Sequence, residues 1–394
     1  MNPQTIAVHG GQRSAGEKQL PVPALILNSA ILLESVDEGW QMLTNETKPN
    51  IAYQRYANPT VMVLEDKFSM MEGATYALAV NSGMSACYML FRTLLSKGDH
   101  IVAQHGLYHE ISDQIIFDQK SCGVEFSLIN DYSISSFEEA FKPATKMVFV
   151  ESPTNPAMLD VDIASLAEIC RSRNIIFVVD NTLLTHEFQK PLNLGADLTI
   201  YSTTKSINGH GDAIGGIIST NNKELYSKLK AFRDNTGMIM DPMSSWLTTR
   251  GIRTLPLRLK QHTENAFAVM DYLSKNFPEI AIRYPLNLPN SKRNRITNGG
   301  GILSIILKGR EQAVQFINNL KLIKIGTTFG NLESLCYCFG AFARPHRDIT
   351  KIGIPLGLVR LSIGIEDVED IIRDIEFGLK QAGISPVESK KQSI

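Results

Sequence analysis

The sequence predicts an α/β protein built on a mostly parallel central sheet, with a smaller α/β domain at its C-terminal end. Two observations carry this expectation. From about Val61, helical periodicity alternates with short apolar runs bounded by Gly, Asn, Asp and Pro, the pattern of βαβ units. Those runs also lack strict apolar–polar alternation, as strands covered on both faces do. Strands are expected at Leu78–Val80, Ile101–Ala103, Met147–Val150, Ile175–Val179, Leu198–Tyr201 and Ile214–Ile218. Helices fall between them: Ser85–Ser96 closing at Gly98, Ile163–Arg173 with an apolar stripe and a basic end, and Lys223–Arg233 after the last strand.

Two regions break this rhythm. The first sixty residues, rich in Pro, Asn and Thr, read as an extended or irregular arm. After Asp241-Pro242 come a long helical segment near Pro256–Lys275, a polar stretch at Asn287–Gly301, strands at Ile302–Leu307 and Val359–Ile363, and a closing helix from Asp367. At about 150 residues per domain, the expected division is an arm at 1–60, a large domain at 61–242 and a C-terminal domain at 243–394. The tail Glu388–Ile394 is expected to fray.

Lys and Arg number 39 against 40 Asp and Glu, a formal net charge of −1, so no bulk field favours nucleic acid or anionic lipid. The longest apolar stretch, Ala24 to Leu33, is interrupted by Asn28 and Ser29 and falls short of the roughly 20 residues of a bilayer span. The N-terminus lacks the blocks of a signal peptide, which points to the cytoplasm. The five cysteines are odd in number and contain no CxxC, so they read as reduced thiols filling the core.

Three segments carry chemistry. In Ile200-Tyr-Ser-Thr-Thr-Lys205-Ser-Ile-Asn-Gly209-His210-Gly211, a lysine stands at a strand end among hydroxyls and glycines. Such an amine can form a Schiff base with an aldehyde cofactor while Ser202 and Thr204 donate to a phosphate; the bland alternative is a surface lysine in a glycine-rich turn. Val178-Val179-Asp180 is an apolar strand ending in a carboxylate, which at the carboxyl end of a parallel strand points into the ligand crevice. There it can keep a pyridine nitrogen protonated, or simply cap the next turn. Asn81-Ser82-Gly83-Met84-Ser85-Ala86 follows a strand and opens a helix, offering free N–H groups to an anion or only a serine cap.

In this order, with Tyr53-Gln-Arg55-Tyr-Ala-Asn58-Pro59-Thr60, Glu151-Ser-Pro153-Thr-Asn155-Pro156, Pro191-Leu-x-Leu-Gly195-Ala196-Asp197, Arg250-Gly251-Ile-Arg253-Thr254-Leu255 and Leu358-Val-Arg360-Leu-Ser-Ile-Gly364, the chain resembles the Cys/Met metabolism family of pyridoxal 5'-phosphate (PLP) enzymes along nearly its whole length. That family includes cystathionine γ-synthase, cystathionine γ- and β-lyases, methionine γ-lyase and O-acetylhomoserine sulfhydrylase. The resemblance implies the aspartate-aminotransferase-like architecture, PLP fold type I. It implies that Lys205 binds the cofactor covalently, that Asp180 pairs with its ring nitrogen, and that Tyr108 stacks on the ring and serves as acid or base. It implies phosphate contacts from the Gly83 and Met84 amides, Ser202, Thr204, and Tyr53 and Arg55 of a neighbouring subunit. Arg360 and Thr328 would hold the carboxylate of an amino-acid substrate, and Asn155 would approach the cofactor's phenolic oxygen. The assembly implied is a homotetramer, a dimer of dimers.

The reaction implied is γ-elimination, breaking a C–S or C–O bond of a methionine- or homoserine-type amino acid to give a 2-oxo acid and ammonia. Arg233-Asp234-Asn235-Thr236-Gly237 leans that way; γ-replacement is the alternative and β-elimination a weaker one. Thr327 stands where cystathionine-handling relatives commonly place a glutamate, which argues against cystathionine. Two departures from the family pattern suggest a specialised substrate. His109 and Glu110 follow Tyr108 where relatives carry small residues or cysteine, and Cys336-Tyr-Cys338-Phe-Gly-Ala-Phe replaces a His-Pro-Ala run. If Glu110 faces the pocket, it favours a cationic or hydrogen-bond-donating substituent; the bland alternative is a solvated loop residue. Tyr108 can act as a base only if its pKa falls from about 10, an effect expected of cations such as Arg55. No metal is expected, because His105 and His109 have no third ligand in register.

Overall fold

A computed structural model of the chain describes residues 1–11, 20–44, 49–343 and 348–387. The expected frayed tail, 388–394, lies outside them. Seven strands form the larger sheet: β1 (Tyr76–Val80), β2 (His100–Gln104), β3 (Glu125–Ile129), β4 (Thr145–Glu151), β5 (Ile176–Asp180), β6 (Leu198–Ser202) and β7 (Gly216–Thr220). Their spatial order is β1-β7-β6-β5-β4-β2-β3. Only β7 runs against its neighbours; every other pairing is parallel.

Burial explains the missing alternation in sequence. Ile101, Ala103, Met147, Phe149 and Val178 pack with helices Gly83–Leu94 and His109–Cys122, while Val102, Val148, Val150, Phe177 and Val179 pack on the opposite face against Ile163–Ser172. Neighbouring residues on one strand thus enter different cores, and both must be apolar.

A second sheet, β8 (Ala281–Arg283), β9 (Ile302–Ile306), β10 (Lys324–Ile325), β11 (Leu335–Cys338) and β12 (Leu358–Ser362), has the order β10-β11-β12-β9-β8. Its central pairings are antiparallel, and helices Leu255–Asn276, Arg310–Asn319 and Val368–Gln381 contribute to its own core.

The structure corrects three expectations. The strand placed at Ile214–Ile218 starts at Gly216: Ile214 is 64% exposed, and a Cβ at Gly216 would stand 2.4 Å from the Ser82 carbonyl oxygen. The arm contains two short helices, Pro3–His9 and Val36–Thr44; fully buried Ala7 docks the first, its carbonyl accepting from Lys67 Nζ at 2.9 Å. The partly exposed edge strand β3 and the four-residue β11 escaped the pattern because neither is a long apolar run.

Register places the functional groups. Glu151 pairs with Asp180, Asp180 with Ile200, and Ser202 with Gly216, which also faces Val80. The carboxyl ends of β1, β4, β5 and β6 therefore lie along one edge, beside the amino end of helix Gly83–Leu94.

Candidate active site

Lys205 lies in the turn after β6. Its Nζ donates to Thr328 Oγ1 at 3.0 Å and sits 5.2 Å from the Phe329 ring centre. Burial, then the Arg360 charge, lower its pKa to about 8, with Glu110 opposing them. This amine can lose its proton near neutrality, as covalent and base chemistry both require.

Arg360, on β12, is 2% exposed. Its guanidinium donates to the Thr328 carbonyl at 2.7 Å, to Asn155 Oδ1 at 3.2 Å and to the Gly326 carbonyl at 3.4 Å. Rings of Phe329, Tyr337 and Phe339 surround it at 5.3, 5.8 and 5.7 Å. Burial lowers its pKa to about 10; the groups favouring its charge are Tyr337 and Cys336, and no carboxylate is among them. Its Nε is enclosed without a hydrogen-bond partner among the described residues. A buried cation without a counter-ion is costly, and an incoming carboxylate relieves that cost.

Thr328 thus joins the two cations, its hydroxyl accepting from Lys205 and its carbonyl from Arg360. The path continues through Asn155, whose backbone N–H donates to Glu151 Oε1 at 2.9 Å, to Tyr108, whose backbone N–H donates to Glu151 Oε2 at 2.9 Å. Glu151 had no assigned role in the sequence reading. It ends an apolar strand as Asp180 does, so the same signal was available for both. Burial, then Asp180, raise its pKa to about 8. Burial also raises that of Asp180, against bonds from Thr182, including one from its N–H at 2.9 Å. Two carboxylates enclosed together favour sharing a proton until a cation arrives beside one of them.

The expected phosphate turn is built as a cradle. Ser82 caps helix Gly83–Leu94 by accepting from Ser85 N–H at 3.0 Å, leaving early amides of the first turn free. A Cβ on Gly83 would stand 3.0 Å from Ser202 Cβ, so the glycine brings this turn against the lysine loop. Thr204 Oγ1 accepts from Gly215 N–H at 3.1 Å, and Ser202 N–H donates to Thr182 Oγ1 at 2.8 Å. An anion fits this cradle of amides and hydroxyls at a helix amino end. A ring nitrogen cation fits opposite Asp180.

Two expectations change. Tyr108 caps helix His109–Cys122 and is 46% exposed. Burial, then Glu110, raise its pKa to about 12 rather than lowering it. Arg55 does not oppose this within the chain: it donates to the Asp234 carbonyl and stacks 4.6 Å from the Tyr56 ring, with Tyr53 nearby at 46% exposure. Met84 lies in the first turn of its helix beside Gly83. His105 pairs with Asn130 and His109 with Glu110, on opposite sides of Gly106.

The family described as Cys/Met metabolism PLP-dependent enzyme matches residues 4–380. The chain belongs to that family. It is a PLP-dependent enzyme of fold type I. An L-methionine gamma-lyase of Fusobacterium nucleatum subsp. polymorphum is 34% identical over 391 residues, spanning 96% of this chain and 98% of that protein. An O-succinylhomoserine sulfhydrylase of Pseudomonas aeruginosa is 32% identical over 95% of this chain and 94% of its own length. A solved cystathionine gamma synthase of Xanthomonas oryzae pv. oryzae, in complex with aminoacrylate and cysteine, superposes with a TM-score of 0.89 at 29% identity, covering 97% of this chain and 99% of that one.

Proposed function

We propose that this enzyme removes the γ substituent of a methionine- or homoserine-type L-amino acid by elimination, releasing a 2-oxo acid and ammonia. The observation that carries the reading is the guanidinium of Arg360, without a counter-ion among the described residues and joined through Thr328 to the amine of Lys205. It supports a receptor for an α-amino acid: Arg360 and Thr328 take the carboxylate, and Asn155, already on the guanidinium, orients it. Bound in the crevice, pyridoxal 5'-phosphate supplies an electron sink for charge developing at Cα and Cβ. Lys205 is the group to which it attaches, Asp180 faces its ring nitrogen, and Asn155 its phenolic oxygen. Gly83, Met84, Ser202 and Thr204 hold its phosphate, together with Tyr53 and Arg55 of a neighbouring subunit. Once the substrate's own amine has displaced it, the freed Lys205 amine, with a pKa lowered to about 8 in this crevice, would take the Cα proton. Tyr108 covers the ring and stands near the leaving group, with Glu110 toward the substrate's γ end.

γ-Replacement shares these groups and is the second reading, favoured by the sulfhydrylase relative. An assay of methionine, cystathionine and homoserine esters, with and without added thiol, decides between them when 2-oxobutanoate and replacement products are both scored. 2-Oxobutanoate in the absence of thiol is expected. Product only with thiol assigns replacement, and pyruvate alone contradicts both.

The same reading takes the chain as an arm at 1–60, a large domain at 61–242 and a C-terminal domain at 243–394, supported by two sheets with separate cores. It takes the assembly as a homotetramer of two site-sharing dimers. Leu32, Val36, Trp40 and Leu43, 98, 88, 66 and 65% exposed, support an arm covered by another subunit. Free thiols at all five cysteines support the cytoplasm, and no described helix is long and apolar enough to cross a membrane.

A further inference from the structure

One charged group in the crevice is left unused by the chemistry above. Glu110 Oε1 lies 2.6 Å from Nε2 of half-exposed His109. Its Oε2 is enclosed and has no hydrogen-bond partner. The carboxylate lies beside the Tyr108 hydroxyl, and the Tyr108 and His109 rings are tilted against each other at 5.1 Å. From other elements, Lys205 after β6 and Tyr337 on β11 lie within range of the carboxylate's charge. An imidazole open to water and a carboxylate are thus in contact beside a phenol at the crevice.

We propose that His109, Glu110 and Tyr108 form a proton relay that carries a proton from solvent to the departing γ substituent. The inference rests on the reading that this chain expels such a substituent. As the Cγ–X bond breaks, its electron pair leaves with X, and X takes the Tyr108 hydroxyl proton. Tyr108 is resupplied by Glu110, Glu110 by the His109 imidazolium, and His109 by water; no atom changes oxidation state.

The need for a relay follows from acidity. With Tyr108 pushed up to about 12, this phenol alone gives its proton uphill to a thiolate whose thiol titrates near 8.5. The half-exposed His109 imidazole offers an exchange point with solvent, and the Glu110 carboxylate, 2.6 Å from it, connects that point to the phenol. Tyr108 touches the leaving group; Glu110 and His109 act only through it.

The test compares wild type, Glu110→Gln and His109→Gln as holoenzymes on methionine, which expels a thiolate, and on O-acetylhomoserine, which expels a carboxylate needing no proton. The expected result is a kcat loss at least about tenfold greater for methionine in both variants. Equal losses on the two substrates overturn the relay. Unchanged turnover of methionine in both variants also overturns it.

A second measurement needs neither turnover nor cofactor. In the apo-protein with 13C-labelled tyrosine, Tyr108 being assigned by Tyr108→Phe, Glu110→Gln should lower the Tyr108 titration point by about half a unit or more. An unchanged titration point overturns the relay. If wild type expels neither leaving group, the functional reading fails, and this titration alone decides whether the contact between Glu110 and Tyr108 exists.

Discussion

The two ends of the crevice carry opposite charges and are built differently. At one end Arg360 projects from the middle of a buried strand, with both hydrogen-bond acceptors and aromatic rings fixed around it. At the other, Glu110 sits in the first turn of a helix, partly exposed, with a half-exposed histidine as its partner. On the proposed reading, the first end is preorganised for one group that every α-amino acid carries. The second is a rim position, where a change of side chain disturbs little of the core. On that reading, such an enzyme can change its γ-end chemistry while keeping its carboxylate receptor.

The largest effect should come from the group that serves both ends. Lys205→Ala should reduce turnover to background, a fall of at least about a thousandfold, and borohydride should trap the cofactor on the wild-type peptide containing Lys205. Trapping on another lysine contradicts the assignment. Mixing inactive Lys205→Ala with inactive Arg55→Ala should restore activity if each crevice takes Arg55 from its neighbour. Random pairing of subunits gives roughly a quarter of the wild-type sites. No recovery after demonstrated subunit exchange means that Arg55 serves its own chain.

The carboxylate end is tested by Arg360→Lys. An ammonium keeps the charge but loses the planar fork, so kcat/KM should fall by about a hundredfold, mostly through KM. The corresponding amino-acid amide, lacking the negative charge, should show little preference for either protein. Equal KM values for the natural acid would remove Arg360 from substrate recognition.

The asymmetry between the ends also explains what the sequence made legible. Lys205, Asp180 and the glycine turn belong to motifs fixed by strand ends and a helix start, so their placement follows from backbone order alone. Arg360 was identified through its motif, whereas its sheath of Phe329, Tyr337 and Phe339 was not, because those rings meet only through β11, the loop before it and the short helix after it. The pairing of Glu110 with His109 depends on rotamers at a helix start. The bridging of Lys205 to Arg360 through Thr328 depends on how the second sheet docks against the first. Neither leaves a periodic signal. The expectation for Tyr108 changed for a related reason: burial and a neighbouring carboxylate outweigh any cation supplied within one chain.

The smallest expected effect concerns Glu151, which ties the two ends together by accepting from Tyr108 N–H on one side and Asn155 N–H on the other. Its folded pKa of about 8 lies above the ordinary value near 4.3, so between those values the folded protein binds more protons than the unfolded chain. Stability contributed by this group is complete below the lower value and is lost as pH rises through the upper one. Buried Glu72, also raised to about 8 by burial, acts in the same direction and remains in the variant. In calorimetry of the apo-protein, the Tm of Glu151→Gln should rise relative to that of wild type between about pH 5 and about pH 8. The variant gives up at most one of two acceptors at low pH, a cost of about 1–3 kcal/mol, and the gap to wild type should narrow by a few degrees as pH rises. A gap that widens instead would mean that Glu151 is ionised beside Asp180 in the folded protein, and the shared proton between the two strand ends would have to be abandoned.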